Sequence, residues 1–103
     1  MSIMYNKAIR DKIPEIIMHS GKQCKVTRLP DEEFLLELER KLEEEITEYQ
    51  TSKSLEELAD IIEVILRILE LKHSSEQDLK EIRILKKKNR GAFSNNLFLL
   101  EVY

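Results

Sequence analysis

Apolar and polar residues alternate along this chain mostly at helical spacing. From Asp31 to about Gln50 there is no Gly or Pro, and Phe34, Leu35, Leu38, Leu42, Ile46 and Tyr49 recur every three or four residues. Thr51-Ser52-Lys53 then reads as a tight connection. Ser54 with Glu57 three residues on has the form of a capping box and predicts a helix running to about Lys72. Ser74 with Gln77 repeats the signature and predicts a further helix to about Asn89, stopped by Gly91. Upstream, Asp11 can cap a short helix that carries Pro14 in its first turn and ends at Gly21. Residues 24–29 read as a short strand or an extended linker, and the apolar tail 97–103 as a second extended segment.

Two long helices joined by so short a turn must run antiparallel as a hairpin. The later of the two is apolar over about two-thirds of its wheel, more than one neighbour can cover. A second copy of the chain would supply the rest, so a homodimer or larger symmetric assembly is expected. With 103 residues and no linker or repeat, the expectation is a single all-α domain over 1–103 with one modest core.

The polar pattern is informative where it breaks. Placed at about 100° per residue, Glu45 falls inside the apolar arc of the first long helix, between Phe34 and Leu38, and Glu48 lies one turn on at its side. The next helix repeats this: Glu57 projects between Val64 and Ile68, and Asp60 sits at the edge of the arc. Each helix of the hairpin thus offers an inner and an edge carboxylate at i, i+3. Facing one another, four such groups repel unless a cation lies between them, and hard divalent cations take oxygen ligands. Two plainer explanations compete. Glu43, Glu44, Glu45 and Glu48 also belong to a solvated helix face, and Glu57 is the capping-box partner of Ser54.

Composition narrows the classes. The chain has 17 basic and 20 acidic residues, a net charge of −3 and 42% hydrophobic residues, which argues against disorder and against bulk attraction to a nucleic-acid polymer. One cysteine, Cys24, allows no disulfide and no zinc pattern, which fits a reducing cytoplasm. No apolar run reaches ~18 residues and the N-terminus has no signal-peptide core, so no membrane association is expected. His19 and His73 are isolated, and no Gly-rich phosphate loop is present, so a nucleotide would have to be held through metal and side chains.

The residues 42–48, Leu-Glu-Glu-Glu-Ile-Thr-Glu, followed by Glu57-Leu58-Ala59-Asp60, resemble the EExxE…ExxD signature of the MazG-like all-α nucleoside triphosphate pyrophosphohydrolases. Tyr5-Asn6-Lys7 with the run from Arg10 to Ile17 resembles the N-terminal segment of a short single-domain branch of that superfamily, and Arg90-Gly91-Ala92-Phe93 with Leu97-Phe98-Leu99 resembles its C-terminal end. Only eight residues separate Glu48 from Glu57, fewer than in the longer MazG proteins. The resemblance implies cleavage of a nucleotide between the α and β phosphates, of the house-cleaning type, with Mg²⁺ as cofactor and Mn²⁺ as a substitute. It implies Glu45, Glu48, Glu57 and Asp60 as metal ligands, with Glu44 and Glu45 as the acids of catalysis. Of the basic residues that could meet phosphate, Arg10, Lys12 and Arg90 fall in the resembling segments, and Asn6 and Phe93 are candidates for the base. Two alternatives stay open: a phosphoribosyl-ATP pyrophosphohydrolase of the same superfamily, and a non-catalytic helical dimerisation or adaptor module.

Overall fold

The computed structural model describes residues 2–103, and among them all regular structure is helical. Four helices follow in order: α1 (Ile13–His19), α2 (Asp31–Ser52), α3 (Leu55–Leu71) and α4 (Glu76–Arg90). The substantial helix-on-helix packing is α2 against α3. The all-α class and the hairpin are therefore as expected. Residues 24–29 and 97–103 form no strand, so the linker reading of 24–29 is the one observed.

The hairpin turn is shorter than the sequence suggests. α2 runs through Thr51 and Ser52 and stops at Lys53, which takes a left-handed φ of 58° and returns its N–H to the Tyr49 carbonyl at 2.7 Å. Ser54 follows at once as the N-cap of α3, its hydroxyl accepting from the Glu57 N–H at 3.4 Å. Only this half of the expected capping box forms. The Glu57 carboxylate does not reach back to Ser54; one of its oxygens is buried without a partner.

At the next junction the cap moves by one residue. Ser75, not Ser74, caps α4, and its partner is Asp78 rather than Gln77, with both hydrogen bonds of the box present at 3.1 and 3.2 Å. Ser74 is engaged by α3 instead. His73 takes φ 59°, its N–H bonds the Glu70 carbonyl, and the Ser74 N–H bonds the Leu69 carbonyl, a Schellman closure of α3. α1 closes in the same manner at Gly21, whose φ of 89° is the left-handed conformation that glycine accepts most readily.

The buried apolar core is small: Ala8, Leu38 and Val64, with Phe34, Leu42, Ile68 and Leu71 packed around them. Ala8 belongs to the segment before α1, so this segment is a strap laid across the hairpin. The expected globular core is not reached in one chain. The surface is 9985 Å², against roughly 6,000 Å² for a compact protein of this mass. The radius of gyration is 18.1 Å, against roughly 13 Å for a compact domain of this length.

Candidate metal centre

The periodicity that placed Glu45 among apolar residues is borne out in space: it is the one charged residue of the described chain that is buried, at 5% exposure. Two overlapping groups of carboxylates meet at it. Glu45, Glu57 and Asp60 can bring one oxygen each within 4.8 Å of one another across the hairpin, and Glu44, Glu45 and Glu48 can do so along α2. The short Lys53–Ser54 turn makes this possible, because it sets the last turns of α2 level with the first turns of α3. Glu57 and Asp60 are half-buried and Glu48 is exposed. The four carboxylates expected as ligands are thus arranged as two triads sharing Glu45, and Glu44 joins the outer one.

Electrostatics distinguish the members. Burial raises the Glu45 carboxyl above the usual carboxylate range, and the negative charges of Glu48 and Asp60 add to the effect. Lys41, one turn earlier on α2, offsets part of it with its ammonium 3.4 Å from Glu45 Oε1 and 3.9 Å from Glu44 Oε1. Glu45 Oε2 and Glu57 Oε2 are both buried with no hydrogen-bond partner. Two such oxygens, on residues of a cluster of like charge, are costly unless a cation or proton satisfies them. The solvated-face reading therefore fails for Glu45, and the capping reading fails for the Glu57 carboxylate. An all-oxygen donor set of this kind can hold a hard divalent ion.

The strap delivers two cations to the rim, one for each helix. With Ala8 anchored in the core, Lys7 Nζ donates to Glu44 Oε1 at 2.9 Å and Arg10 Nη2 donates to Asp60 Oδ1 at 2.7 Å. The Glu44 bond raises the Lys7 pKa above its ordinary value, and the same bond holds the Glu44 carboxyl below the usual range. Arg10, a candidate for phosphate on the resemblance, is thus beside the carboxylates. Lys12 is not; it is exposed at the N-cap of α1 and forms no ion pair among the described residues. Arg90 ends α4, which does not pack on the carboxylate face, and it too has no ion-pair partner among the described residues. Phe93 is fully exposed in the tail, and Asn6 is exposed in the strap at φ 47°.

Sequence reasoning passed over Lys41 and met Lys7 only as part of the Tyr5-Asn6-Lys7 segment. The signal for Lys41 was present in its i, i+3 and i, i+4 spacing to Glu44 and Glu45. Lys7 lies 37 residues from its partner, and no periodicity can announce such a contact. Compared with family models, with curated proteins and with solved structures, the chain finds no match in any of the three.

Proposed function

We propose that the protein is a Mg²⁺-dependent nucleotide pyrophosphohydrolase, cleaving between the α and β phosphates to release a nucleoside monophosphate and pyrophosphate. The observation that carries this reading is the pair of orphaned, buried oxygens of Glu45 and Glu57 inside an oxygen-only cluster with a cationic rim. The donor set fits a hard divalent ion: Glu45, Glu57 and Asp60 would hold it across the hairpin, with Glu48 at the outer triad. Such an ion, when bound, neutralises phosphate charge and lowers the pKa of water.

The chain's own residues divide the remaining work. Arg10 uses one N–H on Asp60, which fixes the guanidinium at the rim and leaves its other donors for phosphate oxygens. Lys7 adds a second positive charge on the α2 side. Glu44 is the acid nearest the cluster that need not ligate, and it is suited to take the proton of an attacking water. Its bond to Lys7 makes it a weaker base, so that bond must loosen, or pass to a phosphate, before Glu44 can accept.

The test is a nucleotide panel that includes phosphoribosyl-ATP, assayed for pyrophosphate with Mg²⁺ and with EDTA. The proposal expects pyrophosphate and monophosphate in equal amounts with Mg²⁺ and none in EDTA. Turnover of phosphoribosyl-ATP alone would select the alternative substrate of the same chemistry. No release from any member of the panel would leave the non-catalytic adaptor.

A further inference from the structure

α3 has a second apolar stripe. Leu55, Leu58, Ile62, Ile65 and Leu69 follow at alternating intervals of three and four residues, the a/d repeat of a helix–helix seam. The stripe lies about 120° round the helix from Val64, Ile68 and Leu71, which pack in the core; Leu55, Leu58 and Ile62 on it are exposed, and Ile65 and Leu69 are half-buried. α2 is the only helix that packs extensively on α3 among the described residues. Meanwhile α4 has its own apolar stripe, with Leu79 half-buried and Ile82 and Leu85 exposed, and leads into a tail where Leu97, Phe98, Leu99 and Leu100 are exposed.

We propose that α4 and the tail form an arm that docks on the α3 stripe of a second copy, in a reciprocal exchange between two chains. Three observations fit this occupant. The lengths match: α4 has 15 residues and α3 has 17, about 22 and 25 Å of helix. The charges match as well. Residues 31–72 carry fourteen acidic and five basic side chains, net −9, whereas residues 73–103 carry four acidic and six basic, net +2. Two hairpins placed face to face would repel, and an arm between them relieves this. The area is also sufficient. One chain exposes 9985 Å², roughly 4,000 Å² more than a compact protein of its mass, and permanent dimers bury about 2,000–5,000 Å² in total.

Charge also sets the direction. The first half of α3 holds Glu56, Glu57, Asp60 and Glu63, while α4 begins with Glu76, Asp78 and Glu81 and ends with Lys86, Lys87, Lys88 and Arg90. Only an antiparallel arm sets basic against acidic. The last turn of the arm then reaches the end of the other chain's α3 that carries Glu57 and Asp60. The exchange stands whether or not the protein hydrolyses nucleotides.

Complementation tests it. Ile62→Arg spoils the stripe and Ile82→Asp spoils the arm, and both side chains are more than half exposed in one chain, so helicity should persist in each variant. Wild type should sediment as a dimer at tens of micromolar and each variant as a monomer. An equimolar mixture should regain dimer, because one stripe–arm contact of the heterodimer is intact and the other pairs Arg with Asp. A monomeric wild type, an Ile82→Asp variant that still dimerises, or a mixture that stays monomeric would each overturn the exchange. Should circular dichroism show lost helicity, Ile62→Ala and Ile82→Ala replace the pair. Each is expected to weaken the dimer at least tenfold, and the absence of that effect in either variant counts against the arm.

Discussion

Glu45 is where chemistry departs from packing. Its neighbours on the helix wheel are core residues, and a leucine there would enlarge a core that holds only three buried apolar side chains, Ala8, Leu38 and Val64. Because burial and Glu48 raise its pKa, the folded chain binds its proton more tightly than the unfolded chain does. The stability due to this group is then fully present below the ordinary carboxyl pKa and is lost as pH rises through the raised value. Glu44 has the opposite sign: Lys7 lowers its pKa, so its contribution is present above the ordinary value and is lost as pH falls. Glu45→Gln separates the two. In metal-free buffer the variant should gain on wild type as pH rises through the raised Glu45 pKa, and level off above it. Chemical denaturation across that window checks this, and a difference that does not vary with pH would mean that Glu45 titrates as it does in the unfolded chain.

At the scale of elements, the caps decide where helices begin, and the two serines before α4 separate cleanly. Ser75→Ala removes the hydroxyl that accepts from Asp78 and should cost α4 about 1 kcal/mol, read as about fivefold faster amide exchange in that helix. Ser74→Ala removes a hydroxyl with no cap to hold and should leave exchange within ~0.5 kcal/mol of wild type. The contrast shows what sequence pattern can deliver. Four helices, the hairpin, and the inward placing of Glu45 and Glu57 all follow from local spacing. The choice of Ser75 over Ser74 depends on how α3 closes, through His73 in a left-handed conformation that few residues other than glycine adopt and that no periodicity announces. The strap was equally hidden, since Ala8 in the core and the pairs Lys7–Glu44 and Arg10–Asp60 are contacts across 37 and 50 residues. Arg90 shows the converse: it stands in a segment that resembles the family, yet within one chain it is not beside the carboxylates.

Over the whole molecule, a small core stands beside a centre of like charge. The hairpin buries little apolar surface, and among the described residues no helix is long and apolar enough to cross a membrane. Into this thin core the chain sets carboxylates that repel one another, with Lys7, Arg10 and Lys41 offsetting them only in part. A divalent ion at that centre should stabilise the fold by mass action, about 2.7 kcal/mol at a hundredfold excess over its dissociation constant. The most direct measurement is thermal unfolding of wild type and Glu45→Gln, each in EDTA and in saturating Mg²⁺. The carboxylate centre predicts that Mg²⁺ raises the wild-type Tm by roughly 10–20 °C, that Glu45→Gln melts higher than wild type in EDTA, and that it loses most of the Mg²⁺ gain. Equal Mg²⁺ shifts in the two proteins would contradict it.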